Sequence, residues 1–173
     1  MRLAPETRVD TYWIIDRRAD LGVKLRGGQT SLEIKVRYEQ SDGWELWEKV
    51  IVQAWTPLES VRCASLLRTE PAFAAEAPDP VKGIQQLLAR AGVTWREHAV
   101  RKTRLQADAG ALLRNVAAPT IERNCLAELV ELRVEPNKPA WSLCFESAAP
   151  AAVAHQHTDG TLLVCGYPEL LSR

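Results

Sequence analysis

The chain has 173 residues, 46% of them hydrophobic and 25% charged, enough to bury one sizeable core, and residues 1–173 read as a single domain. Twenty-two basic side chains balance twenty-two acidic ones, which excludes a bulk field for nucleic acid or an anionic membrane, so any anion binding must be local. No apolar run precedes a small-residue cleavage site near the amino terminus and no segment reaches bilayer length, which predicts a cytoplasmic protein.

In chain order, residues 9–15 are rich in β formers (Thr11, Tyr12, Trp13, Ile14, Ile15) and residues 22–26 form a second short strand. Gly27 and Gly28 supply a permissive turn into a third strand over 31–38. There Leu32, Ile34 and Val36 share one face while Glu33, Lys35 and Arg37 share the other. After the Ser41-Asp42-Gly43 turn, residues 44–54 read as a half-buried fourth strand. Thr56-Pro57-Leu58-Glu59 combines a capping box with proline at the first helical position, predicting a helix from Pro57 to about Arg68. A Pro/Ala-rich connection then leads to Asp79-Pro80, a second cap, followed by an apolar stripe of Val81, Ile84, Leu87, Leu88 and Ala91 with Gly92 placed to stop the helix.

The second half returns to strands, predicted over 95–106, 122–135, 140–146 and 161–165, with turns at 136–139 and 158–160. The expected architecture is α+β, mainly β: roughly eight strands with mostly hairpin connections, suggesting a β barrel, and two or three covering helices. Cysteines 63, 125, 144 and 165 lack a C-x-x-C pair and read as reduced core thiols. His155 and His157 read as a solvated loop in preference to a metal site. Trp44, Trp47 and Trp55 read as core, because large aromatics are buried on average.

Paired bases recur at two-residue spacing in three strands: Lys24/Arg26, Lys35/Arg37 and Lys102/Arg104. Strand side chains alternate between faces, so each pair points one way. Guanidinium and ammonium groups bind phosphate oxygens, whereas clustered carboxylates hold a hard divalent cation; Glu33, Glu128, Glu131 and Glu146 are interspersed among the bases. Glu128 and Glu131 differ by three positions, so in a regular strand only one of them faces such a site, and the other forms a surface ion pair with Arg133 or a neighbour.

These motifs resemble the CYTH, or triphosphate tunnel metalloenzyme, superfamily. Val23-Lys24-Leu25-Arg26 is similar to its paired-base strand, Leu32-Glu33-Ile34-Lys35 to the strand that follows, and Val100-Arg101-Lys102-Thr103-Arg104 to its mid-chain K-x-R strand. Phe145-Glu146 resembles the end of its E-x-E strand, and Gly166-Tyr167-Pro168-Glu169-Leu170-Leu171 a common carboxy-terminal ending. The chain reads as a divergent member: its first strand, Arg8-Val9-Asp10-Thr11-Tyr12-Trp13, replaces the amino-terminal E-x-E-x-K motif, and Cys144 stands at the first glutamate of E-x-E. The resemblance implies an eight-stranded antiparallel, tunnel-like charged barrel that binds a triphosphate or organic polyphosphate, with Lys24, Arg26, Lys35, Arg37, Lys102 and Arg104 on the phosphates. It further implies Mg²⁺ or Mn²⁺ held by Asp10, Glu33, Glu128 and Glu146, polarising the phosphoryl oxygens for hydrolysis. Two other readings are weighed against it. One is a non-catalytic module for an anion or small ligand, phosphorylated or carboxylated, the expected partner being a phosphorylated small molecule or inorganic polyphosphate; the other is a structural or interaction protein whose charges face solvent.

Overall fold

The computed structural model describes residues 4–41, 44–69, 77–108, 126–134, 136 and 139–146. Seven strands, β1 (Glu6–Ile15), β2 (Leu21–Leu25), β3 (Leu32–Ser41), β4 (Trp44–Val52), β5 (Trp95–Asp108), β6 (Leu126–Arg133) and β7 (Ala140–Glu146), are joined by two helices, α1 (Pro57–Leu67) and α2 (Pro80–Arg90). The strand order is β4-β3-β2-β1-β5-β6-β7, mainly through antiparallel hairpins. The predicted closed eight-stranded barrel is not formed among the described residues, because the order ends at β4 on one side and β7 on the other. The strand predicted over 161–165, Cys125, Cys165, His155, His157 and the carboxy-terminal motif at 166–171 lie outside the described residues. No helix among the described residues is long and apolar enough to cross a membrane.

By internal contacts the chain falls into two compact units. The first comprises residues 10–99. Its core is one face of β1–β4, where Trp13, Ile15, Leu21, Val23, Leu32, Ile34, Val36, Val50 and Val52 pack with Cys63, Ala64, Leu67, Ile84, Leu87 and Leu88 of the helices. The period-2 apolar pattern of β3 meets the period-3.6 stripe of α2, each burying an otherwise exposed hydrophobic face.

Both helices start where their caps predict. The Thr56 side chain accepts from the Glu59 N–H at 3.2 Å and Asp79 accepts from the Lys82 N–H at 2.8 Å, satisfying amides that the first turn leaves unpaired. α2 ends before Gly92, whose φ of 65° is the left-handed stop expected of glycine. α1 ends instead on Arg68 at φ 55°. Beside that end, Arg18 chelates Asp20 at 2.8 and 3.0 Å and donates to the Leu67 carbonyl at 2.8 Å, supplying a partner for a terminal carbonyl. Gly83 lets α2 lie against the Trp55 ring, since a Cβ at that position would collide with it.

The second unit contains residues 4–9, 100–108 and the described part of 126–146. β5 pairs with β6 from Arg101↔Arg133 to Asp108↔Leu126, and β6 with β7 from Leu126↔Glu146 to Leu132↔Ala140.

Candidate functional site

In the first unit, the face of β1–β4 opposite the helices carries the charges. Tyr12 lies across from Lys24, Lys24 from Glu33, Lys35 from Lys49 and Arg37 from Trp47, so alternation places Asp10, Lys24, Arg26, Glu33, Lys35, Arg37 and Lys49 on one side. The middle of this face is not open to solvent: Asp10 is 0%, Tyr12 3%, Ile14 2% and Glu33 2% exposed.

Glu33 is the centre of the arrangement. Its Oε1 lies 2.8 Å from Lys24 Nζ, and its Oε2 lies 3.0 Å from Arg26 Nη2 and 3.5 Å from Lys49 Nζ. Arg26 Nε also donates to Oε2, at 3.1 Å. Burial, the largest single influence, pushes the Glu33 carboxyl up, but the combined fields and hydrogen bonds of Lys24, Arg26 and Lys49 override it and hold its pKa at about 2. For Lys24 the balance runs the other way: burial lowers its pKa, against the raising effect of Glu33.

Around this centre Asp10 Oδ1 accepts from the Gly27 N–H at 3.3 Å, fastening the β2–β3 turn to β1. Lys24 lies 5.8 Å from the Tyr12 ring centroid. Arg37 pairs with Glu45 at 2.5 Å and lies 5.7 Å from the ring centroid of Trp47, whose indole N–H donates to the same carboxylate at 2.9 Å. Trp47 is therefore part of the charged face, where the sequence reading placed it in the core. Trp55 does pack against the core, half-buried.

The second unit holds the other basic pair in a different setting. Arg104 donates to Glu6 Oε2 at 2.6 and 2.8 Å and to Glu128 Oε2 at 3.3 Å, and Gln106 donates to the same Glu128 oxygen at 2.7 Å. Arg8 adds a 3.1 Å pair with Glu6, whose pKa is lowered chiefly by its hydrogen bond with Arg104. Lys102 is buried. The register answers the parity question: Glu128 shares the face of Arg104 and Gln106, while Glu131 lies opposite Thr103 on the other face and pairs with Arg133 at 2.6 Å. Cys144 stands directly across from Glu128, and Glu146, two residues on, is exposed. Cys63 and Cys144 are free thiols, and burial pushes Cys63 up to about 12.

Of the expected metal ligands, Asp10 and Glu33 thus belong to one unit and Glu128 and Glu146 to the other. A Mg²⁺ or Mn²⁺ ion needs carboxylate oxygens free to ligate it. Both oxygens of Glu33 are already held by cations, and a divalent ion there would face three positive side chains within a few ångströms. Among the described residues no group of three or more His, Cys, Asp or Glu side chains is placed to hold a metal.

Three charged residues of these clusters were not singled out by the sequence reading: Lys49, the third cation on Glu33; Glu45, the partner of Arg37; and Glu6, the partner of Arg104. Lys49 did carry a signal, since it follows Trp47 at strand spacing, but its partner on β3 depends on register. Compared with protein-family models, curated proteins and solved structures, the chain gives no match in any of the three.

Proposed function

We propose that the charged face of β1–β4 binds a compact multivalent anion, a triphosphate or organic polyphosphate, in the manner of a divergent triphosphate-tunnel protein. The observation that supports this most is the gathering of Lys24, Arg26 and Lys49 on the single carboxylate of Glu33, on a face whose centre is enclosed. Lys35 lies directly across from Lys49, so the basic side chains continue along β3 beyond the cluster on Glu33. Phosphate oxygens suit such donors, with Arg26 presenting a planar fork and the lysines compact point charges.

Binding is the reading favoured over hydrolysis, because the carboxylates on this face are engaged with cations and a backbone amide. The test is thermal unfolding of the full chain with inorganic triphosphate, ATP and thiamine triphosphate, each with and without Mg²⁺ or Mn²⁺, with released phosphate assayed in the same wells. A rise in Tm without release, lost in an Arg26→Ala/Lys49→Ala variant, is expected. Metal-dependent release would favour the hydrolase instead, and no shift with any polyanion would remove the proposal.

A further inference from the structure

Glu33 stands between Lys24, Arg26 and Lys49, contacting all three through its two oxygens. A carboxylate in that position does what one phosphoryl oxygen pair of a bound ligand would do: it neutralises the cations and fixes their side chains. Resting on the anion-binding reading above, we infer that Glu33 is a resident counter-anion, which competes with the ligand for Lys24, Arg26 and Lys49 and sets how much negative charge the site requires, and that it does not ligate a metal.

The convergence of three cations on one carboxylate carries the inference. Among the described residues Lys24, Arg26 and Lys49 make their ion pairs with Glu33, whereas Arg37 makes its own with Glu45. Glu33 is then the carboxylate that holds the central cations together. A monoanion gains little over this built-in partner, whereas a ligand with several adjacent charges can engage Lys24, Arg26 and Lys49 while tolerating Glu33. The site therefore selects for charge density, a polyphosphate over a monophosphate or carboxylate. Removing the Glu33 charge should tighten binding and blunt that selectivity.

The experiment is calorimetric titration of the full chain, wild type and Glu33→Gln, with inorganic triphosphate and with monophosphate in buffer containing excess EDTA, alongside Tm in rising sulfate. Glu33→Gln is expected to bind triphosphate about tenfold more tightly or better, by removal of one like charge beside the ligand, to gain measurable monophosphate binding, and to recover a lowered Tm as sulfate is added. Weaker triphosphate binding by Glu33→Gln, or wild-type binding that disappears in EDTA and returns with Mn²⁺, overturns the inference in favour of a metal ligand. If wild type binds no triphosphate, the anion-binding reading fails on its own. The counter-anion inference then stands if sulfate raises the Tm of Glu33→Gln and not of wild type, and falls if both respond alike. Should Glu33→Gln not fold, wild type decides: an unchanged Tm with Mn²⁺ alone supports the counter-anion, and a raised Tm overturns it.

Discussion

Lys24/Arg26 and Lys102/Arg104 have the same spacing on a strand, and the two units of the molecule treat them in opposite ways. Across β2, β3 and β4 three cations gather on one buried carboxylate, Glu33. On β5 one guanidinium, Arg104, is divided between two carboxylates, Glu6 of β1 and Glu128 of β6, and the Glu6 side chain is 53% exposed. The first arrangement sets three cations against one carboxylate; the second shares one cation between two carboxylates. A basic pair read from sequence is thus a half-statement, completed by whatever the neighbouring strand sets against it.

The comparison breaks most readily at Glu33. Glu33→Ala leaves buried Lys24 and its neighbours without their shared counter-charge and should cost about 3–5 kcal/mol in denaturant unfolding without polyanion. A loss below about 1 kcal/mol would show that the two clusters do not differ in kind.

Acid unfolding sharpens the same point. The Glu33 pKa falls from the ordinary 4.5 to about 2 on folding, so its contribution is fully present above 4.5 and is lost as pH drops from there through about 2. That drop corresponds to at most roughly 3 kcal/mol, and Glu33→Gln should lack this part of the stability–pH curve. Identical curves for the two proteins below pH 4.5 would remove the assignment.

A smaller effect belongs to Glu128→Ala, about 1–2 kcal/mol, because Arg104 keeps Glu6 while Gln106 loses its acceptor. Calorimetric unfolding that places this loss level with Glu33→Ala would contradict the contrast. Least of all should Glu6→Ala matter. Its pairs with Arg8 and Arg104 are half exposed, so a loss under about 1 kcal/mol is expected, fading in molar salt, whereas the Glu33 effect persists.

Much of the fold was legible because it is local. Alternation in residues 31–38 identified both faces of β3, and Thr56-Pro57 and Asp79-Pro80 located both helix starts to the residue. Trp47 misled because its alternation with Lys49 and Ile51 was obscured by Trp44 and Val50, so hydrophobicity was read as core; its indole instead serves Glu45 beside Arg37. Closure of the sheet was inferred from strand number and resemblance, and neither specifies how the end strands pair.

The chain by itself determined which side chains share a face, since a strand's pleat repeats every two residues whatever lies beside it. Its caps likewise determined where α1 and α2 begin, through hydrogen bonds spanning three residues. Only the tertiary structure decided that Lys24 meets Glu33, that Lys49 joins them from β4, that Glu128 and not Glu131 faces Arg104, and that the face around Glu33 is enclosed. Those outcomes depend on register and burial, which are set by contacts between residues distant in sequence, and a shift of one position would exchange every face.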